Sequence, residues 1–186
     1  MIASAALLAA ISATLIWQGW LVYAEHQRER AAWRRVGSCE PVGMTERITC
    51  TGVHLVDLVL PPEIAGCSDA HVCTVKVNRE ALPSFQAALL AVVQEDLGEF
   101  VPQFQTVNRR RCRDGLTGGW IPDCVSKHSY GIAVDFRPFA DNANWDSVVD
   151  LNPGISEVVA IFRRNGFRWG ATFDNFDPQH LEWIPR

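Results

Sequence analysis

The chain lacks a surplus of positive charge. Its 17 Lys and Arg are outnumbered by 21 Asp and Glu, giving a formal net charge of −4. Nucleic-acid partners usually call for a basic face, so none is expected here. Charge of either sign is missing from the start of the chain, where no charged side chain precedes Glu25. The six cysteines never fall in a CxxC spacing, which sets aside a zinc ribbon. No internal repeat is visible, and no low-complexity tract beyond the leader. The 186 residues, 48% of them hydrophobic, suffice for one ordinary domain with a real core plus a short extra segment.

The uncharged run from Met1 to Ala24 is long enough to cross a bilayer, which takes roughly 20 apolar residues. It is rich in Ala, Ser, Thr and Gly and carries Gln18, so it is only weakly hydrophobic. A cleaved signal peptide is the rival reading, but no Lys or Arg opens the run and no clear small-x-small cleavage site appears. We therefore expect a transmembrane or signal-anchor helix over 1–24 and a charged helical linker over 25–38. Two signals conflict on its orientation. Arg28, Arg30, Arg34 and Arg35 would hold the C-terminal part of the chain in the cytoplasm. The cysteines point outward: Cys39 and Cys50, Cys67 and Cys73, and Cys112 and Cys124 lie 11, 6 and 12 positions apart. That even count and spacing read as local disulfides, which persist in oxidising compartments. Six cysteines allow about 15 connectivities, of which the local one is favoured; six reduced thiols are the alternative.

The remaining chain, 39–186, is expected to be one α+β domain: a small antiparallel sheet carrying a metal site, with helices packed on it. A Cys-rich part over 39–76 reads as strands and turns, and a core over 80–186 comes after it. Within that core, Phe85, Leu89, Val92 and Val93 share one face of a helix over 82–97, with Gly98 at its stop. Residues 107–125 read as an Arg- and Gly-rich loop. Ile132, Val134 and Phe136 alternate with Ala133, Asp135 and Arg137, the pattern of a half-buried strand. A second helix spans 154–165, with Ser156 as its N-cap and Gly166 at its end. The chain closes on a short strand, His180-Leu181-Glu182-Trp183.

Two clusters carry chemistry. In Ser126-Lys127-His128-Ser129-Tyr130-Gly131-Ile132-Ala133-Val134-Asp135, a histidine precedes a strand that bears a carboxylate. A carboxylate in mid-strand is costly unless it is paired or bound to a cation, and a histidine with a carboxylate suits zinc. A structural His–Asp hydrogen bond would explain the same residues. In Asp177-Pro178-Gln179-His180-Leu181-Glu182-Trp183, a second histidine follows an aspartate by three residues. A catalytic zinc typically has three protein ligands and one open position; His128, Asp135 and His180 would supply the three. Asp177 is the candidate general base, Glu182 its competitor on the same strand face, and an ordinary Asp-Pro turn the plain alternative.

The run Ser-x-His-x-x-Gly-x-Ala-x-Asp at 126–135 resembles the first zinc motif of the D-alanyl-D-alanine carboxypeptidase and L-alanyl-D-glutamate endopeptidase family. Gly166-Phe167-Arg168-Trp169-Gly170 followed by Asp177-Pro178-Gln179-His180-Leu181-Glu182-Trp183 resembles its second. The resemblance covers roughly 80–183, in the family's order and separation. It implies one zinc ion on His128, Asp135 and His180, with Asp177 as the base. It also implies an upstream arginine that grips a substrate carboxylate. Arg113, after Cys112, fits that placement among Arg109, Arg110, Arg111 and Arg113, a solvated basic loop being the alternative. Ser126, within the motif, would touch substrate. Leu181 and Ala171 replace a Phe and a Gly of the family pattern.

The function expected is a zinc metallopeptidase that hydrolyses peptidoglycan stem peptides through metal-activated water. It would be a monomer, anchored in the membrane with its catalytic domain outside the cytoplasm; its anchor resembles those of phage endolysins that are later released, and a bacterial wall-remodelling enzyme, which would also need an exported anchor, is the alternative. A non-catalytic zinc-containing module that binds cell wall or a partner is the alternative, although it would not require an acid at 177.

Overall fold

The computed structural model describes residues 20–21, 23–25, 27–42, 48–64, 67, 73–101, 103–105, 111–113, 120–137, 154–174 and 176–185. Two units result, one of Met1–Arg35 with Pro185–Arg186 and the other of Val36–Ile184. In the first, the described positions up to Arg35 belong to a helix, α1 (20–36), and Pro185 lies outside it. The anchor expected over 1–24 lies mostly outside the described residues. Among the described residues, no helix is long and apolar enough to cross a membrane.

The second unit is an α+β fold of antiparallel strands. Its N-terminal part forms two hairpins. β1 (Ser38–Pro41) pairs with β2 (Ile48–Thr51), and β3 (Leu55–Val59) with β4 (Thr74–Asn78). Disulfides Cys39–Cys50 and Cys67–Cys73 staple this part in the local pairing expected. Cys124 is disulfide-bonded as well. Helix α2 (Leu82–Gln94) follows, then β5 (Gln103–Gln105), β6 (Arg111–Arg113) and β7 (Trp120–Val125). After a 3-10 turn over Lys127–Tyr130 come β8 (Ala133–Arg137), α3 (Ile155–Arg164), β9 (Phe167–Trp169) and β10 (His180–Trp183).

The principal sheet has four strands in the order β5-β8-β10-β9, so β8 and β10 are interior. Helices α2 and α3 pack together on one of its faces. An aromatic chain joins them to the strands: Phe85 meets Phe167 at 4.8 Å between ring centroids, Phe167 meets Phe162 at 5.1 Å, and Phe162 meets Phe136 at 5.4 Å. Each pair is edge-to-face, the arrangement favoured by the ring quadrupole. The indole N–H of Trp183 donates to Ser84 Oγ at 2.9 Å, which ties β10 to the start of α2.

Several expectations are corrected. β8 is not half-buried. Ala133 on its polar face is as inaccessible as Val134 on the helix face, and among the β8 residues whose burial is described Asp135 alone keeps some exposure. Helix α2 ends at Gln94, short of 97; Asp96 takes the left-handed conformation (φ 57°) and Gly98 instead opens a 3-10 turn. Helix α3 is capped by Gly154, not Ser156, and has no side-chain cap. Starting there brings the fully buried Ile155 into the helix beside Val158, Val159, Ile161 and Phe162. Gly166 does lie at its end, where its N–H bonds Arg163 O. Part of the expected 107–125 loop is an antiparallel hairpin, β6–β7, with a register shift between Arg111 and Arg113.

One buried polar residue joins the hairpins to the segment before β8. Asn78, at the end of β4, donates from Nδ2 to the carbonyls of Val36 and Tyr130, both at 3.0 Å. Its Oδ1 accepts from Glu80 N at 3.0 Å, and its own N–H donates to Gly131 O at 2.8 Å. Gly131 there has φ 69°, and a Cβ would come 2.5 Å from Leu55 Cδ2 and 2.8 Å from Asn78 N, so only glycine fits. Because removing a buried amide leaves several groups unsatisfied, Asn78→Ala should lower the stability of the folded unit by about 2–4 kcal/mol. Urea unfolding checks this, and an unchanged midpoint would show that Asn78 clamps nothing.

Candidate metal site

The register of the two interior strands creates the site. In the β8–β10 ladder Asp135 stands opposite His180, Val134 opposite Leu181, and Ala133 opposite Glu182. Side chains alternate across a strand. Asp135, His180, Ala133 and Glu182 therefore share the face away from the helices, while Val134 and Leu181 enter the core. Leu181, where the family pattern has Phe, is 1% exposed and needs only to be apolar.

His128 reaches this face from the 3-10 turn before β8. Ser126 caps that turn: its hydroxyl accepts the His128 N–H at 3.4 Å. The turn ends at Gly131, whose N–H returns to His128 O at 3.0 Å. The Cys39–Cys50 disulfide lies against it, both sulfurs 3.9 Å from the Ser129 carbonyl oxygen.

Three ligand atoms converge. His128 Nε2 is 3.1 Å from Asp135 Oδ1 and 3.2 Å from His180 Nδ1, which in turn is 2.8 Å from the same Oδ1. Tetrahedral ligands at zinc distances of about 2.0–2.1 Å are separated by roughly 3.3 Å, so this triangle has the size of one face of such a site. His128 and His180 are buried and Asp135 half-buried. Two imidazoles and one carboxylate form a donor set that zinc accepts. The three residues named from sequence are thus brought together as a candidate metal site.

The other two acids occupy different places. Glu182 lies on the far side of the His180 ring: its Oε1 is 3.3 Å from Nε2, and its Oε2 is 3.2 Å from Arg168 Nη2. Asp177 precedes β10 in a turn whose closing bond runs from His180 N to Asp177 O at 3.1 Å. Asp177 N bonds Gly170 O at 3.1 Å, and a Cβ on Gly170 would collide with the Asp177 carbonyl oxygen. Trp169 Nε1 donates to Pro178 O at 2.8 Å. These bonds explain the Trp169-Gly170 pair: one fastens the turn and the other makes room for it. Asp177 Oδ1 is buried with no hydrogen-bond partner among the described residues.

Charge follows the geometry. Burial alone would raise the Asp135 pKa, but hydrogen bonds from His128 and His180 outweigh it and hold this carboxyl well below its usual range. Burial raises the Asp177 pKa, and the carboxylates of Asp135 and Glu182 add to the rise. For His180, burial favours the neutral ring, yet hydrogen bonds to Asp135 and Glu182 prevail and push it up to about 9.

Arg113 lies on β6 opposite Trp120, with only its backbone described; Arg109 and Arg110 fall outside the described residues. Ser126 has a local role as a cap. Sequence reasoning missed Asn78 and the Glu182–Arg168 pair. Neither has a spacing signal, since each is defined by partners far along the chain.

Comparison with known proteins points to the same stretch of chain. The D-alanyl-D-alanine carboxypeptidase family pattern matches residues 122–183, which include all three candidate ligands and Asp177. The chain is also 34% identical over 127 residues to the peptidoglycan L-alanyl-D-glutamate endopeptidase CwlK of Bacillus subtilis (strain 168), an alignment that covers 63% of this chain and 75% of that protein. No solved structure matches significantly. The chain belongs to the D-alanyl-D-alanine carboxypeptidase and L-alanyl-D-glutamate endopeptidase family, and it is a peptidase that acts on bacterial cell wall.

The raised His180 pKa sets the pH dependence of the metal-free protein. The folded value exceeds the unfolded 6.5, so its contribution to stability is complete below pH 6.5 and is lost as pH rises toward about 9. Chelator-treated protein should therefore lose about 1–3 kcal/mol across that window, measured by urea unfolding at fixed pH values. Stability that rose with pH there would contradict the charged His180–Asp135 pair.

Proposed function

We propose that this peptidase holds one zinc ion on His128, Asp135 and His180, uses Asp177 as its general base, and cleaves the L-alanyl-D-glutamate bond of peptidoglycan stem peptides. The observation that carries the metal assignment is the convergence of His128 Nε2, Asp135 Oδ1 and His180 Nδ1 within 3.2 Å of one another. The bond assignment rests on the likeness to the Bacillus subtilis endopeptidase, an alignment that spans three quarters of that protein.

When bound, zinc supplies Lewis acidity toward a peptide carbonyl and brings the pKa of a water toward neutrality. The chain's own residues do the rest. Asp177 takes a proton from the attacking water and delivers it to the departing amine. Its raised pKa suits both roles, because a base poised nearer neutrality can also return the proton. Glu182 is not favoured as base, since its two oxygens already face His180 Nε2 and Arg168. Arg113 would grip a carboxylate of the stem peptide and Ser126 would line the same approach. Action on cell wall places the catalytic unit outside the cytoplasm, and the uncharged run over 1–24 would tether it to the membrane.

Purified peptidoglycan digested by the oxidised protein should release fragments that begin with D-glutamate, identified by mass spectrometry. A chelator should abolish the release and added zinc restore it. Asp177→Ala should lower kcat by about 10²- to 10⁴-fold with zinc content unchanged. Release of terminal D-alanine instead would make the enzyme a carboxypeptidase. Zinc bound without cleavage of any fragment would leave a wall-binding module.

A further inference from the structure

Behind the three ligands lies a chain of contacts that the proposed chemistry does not use. His180 turns Nδ1 toward Asp135 Oδ1 (2.8 Å) and Nε2 toward Glu182 Oε1 (3.3 Å). The second oxygen of Glu182 meets Arg168 Nη2 at 3.2 Å. The Arg168 guanidinium lies 4.7 Å over the Phe173 ring, and that ring stands edge-on to His180 with centroids 6.1 Å apart. Glu182 and Arg168 face each other in the β9–β10 ladder, so backbone register fixes their approach. Glu182 is 9% exposed. A carboxylate so deeply placed is costly unless it is paired and hydrogen-bonded, and this one has a partner for each oxygen.

An imidazole has one proton for its two nitrogens when neutral, and the hydrogen bond at one nitrogen decides which of them is free to bind a metal. A carboxylate on the far nitrogen fixes the tautomer and makes the ligating nitrogen more basic. We infer that Glu182, itself held by Arg168, is a positioning residue that keeps the His180 proton on Nε2 and presents the Nδ1 lone pair to the metal. This rests on the proposed metal site and extends it outward to β9. It also gives the Arg168 position of the Gly-Phe-x-Trp-Gly motif a task, although that motif leaves its residue type open. The pairing across β9 and β10 is what selects an arginine there.

The test is zinc affinity, measured for the full chain by competition with a chromophoric chelator at one pH. Glu182→Ala should weaken binding by about 10- to 100-fold. Glu182→Gln, whose amide oxygen still accepts from Nε2, should recover most of the loss. Arg168→Ala should weaken binding less than Glu182→Ala and in the same direction. Thermal unfolding of each metal-free variant separates misfolding from a lost ligand orientation. In the zinc-loaded native protein, nitrogen NMR should show His180 protonated at Nε2 and bound through Nδ1. Native affinity in Glu182→Ala, no recovery in Glu182→Gln, or His180 bound through Nε2 would overturn the inference. Native protein that bound no zinc would instead overturn the metal site beneath it.

Discussion

The site depends on one constraint, the antiparallel register that sets Asp135 opposite His180 in the two interior strands. Because side chains alternate with a period of two, a slip of one residue would turn the ligands into the core and Val134 and Leu181 out of it. Burial on both faces opposes such a slip. Bonds beyond the ladder keep the register too: Phe136 N donates to Gln179 O at 3.0 Å and Trp183 N to Ile132 O at 2.7 Å. The aromatic chain through Phe85, Phe167, Phe162 and Phe136 packs the opposite face and holds the sheet to its helices.

His128 belongs to neither strand and needs its own support. That support comes from the N-terminal hairpins, through Asn78 on the Tyr130 and Gly131 backbone and through the Cys39–Cys50 disulfide against Ser129. The Cys-rich part, which bears no chemistry of its own, thus fixes where one ligand begins. A disulfide restricts mainly the unfolded chain, and here it also supplies a packing surface beneath the histidine turn.

Much of this was legible in the sequence. The candidate ligand triad, the terminal strand and both helices follow from motif and periodicity, because those signals are local. What was not legible is non-local. The alternation around Ile132 to Phe136 suggested a half-buried strand, while Ala133 on its polar face is closed off beside Glu182, a residue far along the chain. Ser156 looked like a cap because it is a good capping residue, yet burying Ile155 moved the start of α3 to Gly154. Gly98 looked like a helix stop, while Asp96 accepted the strained conformation. Glu182 stands level with Asp177 as a candidate base in the sequence, and its partners come from another strand and from a ring whose orientation only the fold defines.

The interior position of β8 and β10 has a consequence for motion. Proteins open in patches, and the edges and ends of sheets open most readily. Asp135 is paired with Gln105 on one side and His180 on the other, and Leu181, next to His180, is paired with both Val134 and Trp169. Fraying of the edge strands β5 and β9 therefore does not by itself part the two candidate ligands that face each other across the β8–β10 ladder.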